Sequence, residues 1–216
     1  MERNQMLFVI GISMATVATI CNIIAFGLPS WIYTYDRFST IGIEKAGLWT
    51  FCLDTFHDDR YNYNDGIPMY GCKWIYSQYL KEIRWTVLNP AFYIAVQIMA
   101  TVNLILSLIG LIGLYIICFV RKNNCPLILG IVTMFFCTIL GFCEIILYAM
   151  RVTDDEYYKV PNVHVKHLGA GWGMAVVAAI VSGMALGALT ASYLSVRKER
   201  REFKKQQSMD MLGASY

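Results

Sequence analysis

Four long apolar stretches run along the chain and are separated by polar segments. They extend from Met6 to Leu28, Ala91 to Val120, Pro126 to Ala149 and Gly171 to Val196. A helix needs about 20 mostly apolar residues to cross the hydrocarbon of a bilayer, and each stretch reaches that length. Strands of a membrane barrel are shorter and alternate in polarity, which these stretches do not. The pattern therefore predicts four transmembrane helices.

Composition supports a membrane protein and excludes two other classes. Of the 216 residues, 57% are apolar and 15% are charged, whereas about a quarter of the residues in a typical soluble domain are charged. The net charge of +3 is too small and too dispersed for a nucleic-acid binder. With 14 tyrosines, 11 phenylalanines and 5 tryptophans, the chain is also unlike a disordered protein. We expect one membrane domain, residues 1–216, and no nucleic-acid partner.

The distribution of basic residues predicts the orientation. The first stretch lacks the cleavage site of a signal peptide and is expected to remain as an anchor. Lysine and arginine close to span ends favour the cytoplasmic side, and they are concentrated in a short connection and directly after the fourth span. We therefore expect a plasma-membrane protein with cytoplasmic segments at 1–5, 121–125 and 197–216 and extracellular loops at 29–90 and 150–170.

The cysteines fall into three groups. Cys52 and Cys72 lie in the predicted extracellular loops, and because that compartment is oxidising we expect them to form a disulfide. The enclosed loop is comparable to loops for which a disulfide contributes about 3 kcal/mol. The other five are packing residues within spans or thiols at the cytoplasmic face, the latter either palmitoylated or unmodified: Cys21, Cys137 and Cys143 in spans, Cys118 and Cys125 at the face.

The first loop has strand composition in three places. Residues 31–35, 48–53 and 69–76 are rich in aromatic and β-branched side chains, which favour strands. Asp54 to Pro68 is rich in Asp, Asn and Gly and predicts a hairpin connection, so the two cysteines would staple adjacent strands. Gln78 to Trp85 predicts a short helix. A sheet this small needs a covering surface, which the ends of the four helices would provide.

Several of these residues together resemble the signature of the claudin superfamily. They are Trp31, Gly47-Leu48-Trp49, Cys52 and Cys72. Leu28-Pro29-Ser30-Trp31 is also similar to the way claudins leave their first helix. The resemblance covers nearly the whole chain, including the loop lengths and the basic tail. The 19 residues between the two cysteines exceed the spacing of vertebrate claudins, so the chain looks closer to invertebrate claudins of septate junctions.

The resemblance implies a fold and a set of structural residues. The fold would be an all-α transmembrane four-helix bundle with a small extracellular antiparallel β-sheet. Trp31 and Trp49 would lie at the foot of the sheet, the alternative being interfacial tryptophans without a special partner. Arg84 stands where claudins carry a basic residue that meets the sheet, and a solvated arginine at a helix end is the alternative.

Charged residues of the loops give conflicting signals about ion passage. An acidic group between the cysteines would attract cations in a narrow passage, whereas Lys73 lies where cation-selective claudins carry an acidic residue. A solvated polar hairpin is the commoner explanation of such an acidic group, so no selectivity is assigned. The acidic residues are Asp54, Asp58, Asp59 and Asp65. In the second loop, His164 and His167 lack a third ligand at a suitable spacing, so we expect no metal.

Two features within the spans, and one at the end of the chain, add candidates. Small residues recur every fourth position of the fourth span and would pack inside the bundle, or alternatively between subunits: Ala175, Ala179, Gly183, Gly187 and Ala191. Glu144 is an acid within a span, which is costly and marks function by default. A hydrogen-bonded or snorkelling glutamate is the simpler interpretation. Ala214 and Tyr216 weakly resemble a C-terminal motif for PDZ scaffolds.

These observations favour a junction protein over an enzyme. No nucleophile, base and orienting acid form a recognisable motif, and we expect neither catalysis nor a cofactor. The resemblance implies cell–cell adhesion and a paracellular barrier, with the same or similar proteins as partners in one membrane and across two. Anionic lipid at the basic tail and a PDZ scaffold are further expected partners. The alternative is an auxiliary four-span subunit of an ion channel or receptor, of the calcium-channel gamma or AMPA-receptor regulatory type.

Overall fold

The computed structural model describes residues 2–34, 43–56, 69–81, 84–120, 125–152 and 165–213. Within these ranges the chain forms four long α-helices and five β-strands. In chain order they are α1 (Glu2–Gly27), β1 (Ile32–Thr34), β2 (Ile43–Ala46), β3 (Thr50–Phe56), β4 (Met69–Trp74), α2 (Ala91–Val120), α3 (Cys125–Val152), β5 (Val165–Leu168) and α4 (Ala170–Gly213).

All four helices are long and apolar enough to cross a membrane. The qualifying segments are Gln5–Gly27, Ala91–Ile116, Leu127–Val152 and Ala170–Met209. Large apolar side chains remain exposed on the outside of the bundle, among them Ile112 at 60%, as expected where lipid is the solvent. The predicted four-span fold is therefore confirmed.

The helices form a bundle in which α1 packs on α4, α2 on α3, and α3 on α4. One buried cluster lies within the bundle and includes Ile12, Leu114, Met134 and Leu189. A second, larger cluster joins the helix ends to the sheet. The sheet and the helices thus share a hydrophobic core, and the covering surface expected for a small sheet is present.

The ladder of small residues on α4, predicted to pack inside the bundle, does so only in its first part. Ala175 and Ala179 are buried, but Gly187 and Ala191 are exposed and nothing lies within 4 Å of a Cβ placed on Gly187. A repeat of four residues advances about 40° per step around a helix of 3.6 residues per turn, hence about 160° over the ladder. The buried face instead continues through Ala185, Leu189 and Ser192.

The strands form one antiparallel sheet in the order β4-β3-β2-β1-β5. The sequence pattern does not predict two of them. β2 lies between β1 and β3, and β5 comes from the second loop and pairs with β1. The second predicted strand starts two residues too early, because residues 47–49 form a turn and β3 begins at Thr50. The sheet therefore ties the two loops together at one end of the bundle.

In the segment between β4 and α2, the described residues from Gln78 to Leu88 are helical, where the sequence predicts a short helix over Gln78 to Trp85. The segment forms a 3₁₀ turn at Gln78–Leu80, is α-helical at Lys81 and forms a π-helical turn at Arg84–Leu88. Residues 82 and 83 lie outside the described part. The side chain of Arg84 binds backbone carbonyls beside β4, which holds the second turn against the sheet. The chain then enters α2 after Pro90.

The basic tail is helical in its described part. α4 continues through residues 197–213, because Arg, Lys, Glu and Gln all have high helix propensity. The side chains described there are exposed. The helix thus extends past the apolar part of the span as a charged, solvated projection.

The predicted disulfide between Cys52 and Cys72 is confirmed. The two residues lie directly opposite each other on β3 and β4, and their sulfurs are bonded. Cys52 is buried. The disulfide therefore fixes the register of the edge strand β4 against β3.

Removing the disulfide between Cys52 and Cys72 should destabilise the protein. For the double variant Cys52→Ala/Cys72→Ala we expect a loss of about 3 kcal/mol. In a chain of this size that corresponds to roughly 6–12 °C in unfolding temperature, measured by differential scanning fluorimetry in detergent. The matched control is Cys143→Ala, since that thiol is free and exposed and its loss should leave the temperature unchanged. Equal temperatures for parent and double variant would contradict the structural role of the bond.

Candidate functional site

The residues of the predicted signature come together where α1 leaves the bundle and enters the sheet. We call residues 28–31 the exit segment and residues 47–49 the signature turn. The exit segment meets the signature turn on one side and the beginning of α4 on the other. Trp31 donates its backbone N–H to Ala46 O at 2.7 Å and so begins the pairing of β1 with β2. This junction decides how the sheet sits on the helices.

Gly47 allows the closest approach at this junction. A Cβ on Gly47 would lie 2.2 Å from Leu28 O and 2.6 Å from Pro29 Cα. Both are backbone atoms, which cannot rotate away as a side chain does. The glycine of the signature is therefore required by the packing of two backbone segments.

Two polar side chains of α2 hold the carbonyls of the signature turn. Tyr93 donates its hydroxyl to Gly47 O, and Gln97 donates Nε2–H to Leu48 O at 2.6 Å. Leu48, Tyr93 and Gln97 are all buried. Because an unpaired carbonyl buried at this depth costs several kcal/mol, these donors fix the turn on α2. Sequence reasoning missed both, although a glutamine one turn and a half into an apolar span was a visible signal.

Trp31 is fully enclosed rather than interfacial. Its indole Nε1 donates to Ala25 O at 2.7 Å, and its ring meets Tyr148 of α3 edge-on at a centroid distance of 5.0 Å. With 1% of its surface exposed, it is a core residue that joins α1, α3 and the sheet. The alternative of a lipid-belt tryptophan does not describe this residue.

Two glycines at the start of α4 close the other side of the exit segment. A Cβ on Gly169 would lie 2.3 Å from Ser30 O, and one on Gly171 would lie 2.5 Å from Trp31 Cδ1. Gly169 N and Gly171 N also donate to Trp31 O and Ser30 O, each at 2.7 Å. Sequence reasoning missed this role. The signal available was the pair of glycines two residues apart at the start of a span.

Trp49 lies beside the exit of α1 and is half-buried. Its ring is 5.2 Å from that of Phe26 and 6.4 Å from that of Tyr76. Its backbone carbonyl accepts from Ile75 N at 2.9 Å. The residue therefore fills the space between α1 and the end of β4 at the foot of the sheet.

Arg84 meets the end of the hairpin. Its Nε donates to Ile75 O at 2.7 Å and its Nη2 to Ser77 O at 2.8 Å. The guanidinium also stands 5.2 Å from the centre of the Tyr76 ring, a distance at which the ring quadrupole attracts a cation. The arginine is thus a clamp on the segment that follows β4, rather than a solvated side chain.

The charged candidates are only partly within the described residues. Asp54 belongs to β3, and Lys73 lies opposite Phe51 on β4. His167 lies on β5 opposite Tyr33. No group of three metal-ligating side chains occurs among the described residues. Asp58, Asp59, Asp65, His164, Ala214 and Tyr216 lie outside the described residues, as do the side chains of Cys118 and Cys125.

The contact between the signature turn and the exit segment is tested by the pair of variants Gly47→Ala and Gly27→Ala. The first places a methyl group against backbone atoms of the exit segment and should lower the unfolding free energy by about 1–3 kcal/mol, as overpacking does. The second is the matched control, because nothing lies within 4 Å of a Cβ on Gly27. The measurement is the unfolding temperature in detergent. Equal stability of the two variants would contradict the close contact.

Comparison with known proteins identifies the family. The family described as PMP-22/EMP/MP20/Claudin tight junction matches residues 16–194 of the chain. A comparison with curated proteins finds no significant match. The family match covers most of the chain, including the whole sheet, the second and third apolar segments and part of the first and the fourth. The chain therefore belongs to the PMP-22/EMP/MP20/claudin family.

Proposed function

We propose that this chain is a claudin-type cell–cell junction protein that assembles within one membrane and across two and supports a paracellular barrier. The observation that carries the proposal is the fixed attachment of a five-stranded sheet to the ends of four membrane-spanning helices. Because buried hydrogen bonds hold the sheet on the helices, the sheet can contact a neighbouring protein without changing its position on the membrane-spanning bundle. A role of this kind is structural and requires no catalytic site.

The orientation proposed for this role places the sheet outside the cell. The basic residues of α4 support it, because they cluster directly beyond the apolar span on the end away from the sheet. These residues are Arg197, Lys198, Arg200, Arg201, Lys204 and Lys205. Both termini are then cytoplasmic, and the basic helix lies near anionic headgroups, which attract it by about 1 kcal/mol per residue close to the surface. A PDZ scaffold at Ala214 and Tyr216 belongs to the same proposal.

The outer strands of the sheet supply the contact surface in this proposal. In the described part, β4 and β5 each pair with one strand only. Trp74 on β4 is 58% exposed and packs edge-on against Tyr76 at 5.3 Å. An exposed, partly supported indole suits a contact between proteins, where tryptophan is enriched. We favour a barrier over a pore, since the acidic and basic signals of the loops conflict.

Expression in cells that lack junctions tests the proposal. The parent protein should concentrate at contacts between non-adherent cells, imaged by fluorescence, and should raise the electrical resistance of an epithelial monolayer. Trp74→Ala should reduce enrichment at contacts without reducing the amount at the cell surface. Trp85→Ala is the matched control, because this tryptophan is 60% exposed but lies outside the sheet.

The same experiment separates the two candidate functions. An even distribution over the cell surface together with unchanged monolayer resistance would contradict a junction role. Co-purification with a large channel and altered channel currents would instead support the auxiliary-subunit alternative.

A further inference from the structure

A polar pair lies buried between two helices of the bundle and has no part in the proposed junction role. Glu144 on α3 is 1% exposed and Asn103 on α2 is 4% exposed. Glu144 therefore does not snorkel toward the membrane surface. Across residues 5–27, 91–116, 127–150 and 170–196, it is the one carboxylate, and these ranges contain no lysine, arginine or histidine.

The pair sits where three helices meet. Gly141 precedes Glu144 by one turn, and a Cβ on it would lie 3.1 Å from Ala179 Cβ of α4 and 3.5 Å from Asn103 Nδ2. The absence of a side chain at Gly141 thus leaves the room in which the Asn103 amide lies. Cys137, two turns before Glu144, contacts Asn103 O through its sulfur at 3.6 Å.

The pair carries two buried polar atoms without a hydrogen-bond partner. The side-chain amide of Asn103 lies beside the Glu144 carboxyl and interacts with it. Glu144 Oε2 and Asn103 Oδ1 are both buried and have no hydrogen-bond partner among the described residues. Two acceptors without a donor are costly in a bundle that excludes water. A single proton placed between these two oxygens would give both of them a hydrogen bond.

We propose that Glu144 is an intramembrane proton-binding site, in which the protonated carboxyl and the Asn103 amide form a cyclic pair with two hydrogen bonds. Glu144 Oε2–H donates to Asn103 Oδ1, and Asn103 Nδ2–H donates to the other carboxyl oxygen. One proton satisfies both orphaned atoms and removes a buried negative charge. The uncharged, hydrogen-bonded pair then links α2 to α3.

A metal ion or a basic side chain is a poorer occupant of this place. Hard cations such as Ca²⁺ take roughly 6–8 oxygen ligands, and the described residues offer two unpaired oxygens here. The titratable neighbours on α3 itself are Cys137 and, one turn toward the sheet, Tyr148. The facing positions of α4 are alanines such as Ala179. Between residues 5 and 27, α1 carries no Asp, Glu, Lys, Arg or His, and its titratable side chain there is the thiol of Cys21. Arg151 is exposed.

Infrared spectroscopy of the full chain in lipid nanodiscs at neutral pH tests the proposal. The parent should show the carbonyl band of a protonated carboxylic acid, and this band should shift in D₂O. It should be lost in Glu144→Gln, while Asn103→Leu should move it to higher frequency because Asn103 then no longer accepts a hydrogen bond. A parent spectrum without this band at neutral pH would overturn the proposal.

Isosteric variants test the cyclic pair by a second measurement. Glu144→Gln keeps two complementary amides and should unfold within about 1 °C of the parent. Asn103→Asp places two carboxyls together and should lower the unfolding temperature. The double variant Asn103→Asp/Glu144→Gln restores one acid and one amide, so it should recover both stability and the protonated-acid band. Failure of the double variant to improve on Asn103→Asp would contradict the pairing.

Discussion

The contact between the Gly47 backbone and the carbonyl of Leu28 is the constraint on which the sheet depends. The end of α1 and the signature turn approach so closely that a methyl group at Gly47 would overlap backbone atoms. The buried carbonyls of that turn then accept hydrogen bonds from Tyr93 and Gln97 of α2. Helix exit, turn and second span are thereby joined, and the strands on either side of the turn take their positions from this junction.

Four further attachments hold the sheet on the bundle. Trp31 is held by Ala25 and by the ring of Tyr148, while glycines at the start of α4 close over the exit segment. On the far side, Arg84 clamps the chain after β4, and the disulfide ties β4 to β3. The non-covalent attachments use buried or charge-assisted contacts, which contribute more than exposed ones. The sheet is therefore an extension of the bundle core, and its outer strands remain available to neighbours in the proposed role.

The parts of the fold that depend on composition could be predicted from the sequence. Long apolar runs identify the spans, and the pair of cysteines in one predicted loop identifies the staple. β2 and β5 were missed because Ile43–Ala46 and Val165–Leu168 contain glutamate, lysine and histidine among their residues and carry a weak strand signal. They become strands because their backbone groups pair with β1 and β3. The roles of Tyr93, Gln97 and Gly169 depend on contacts between distant segments, which composition does not encode.

The location and cross-linking of the sheet are tested most directly by thiol labelling of intact cells with a membrane-impermeant maleimide, with and without an impermeant reductant. If the sheet is outside and the disulfide is formed, Cys72, which is exposed, should be labelled on intact cells, and only after reduction. A variant with the other five cysteines replaced by alanine keeps the readout on this pair. Labelling without reductant would contradict the staple, and labelling that requires permeabilised cells would contradict the proposed orientation and the junction role that depends on it.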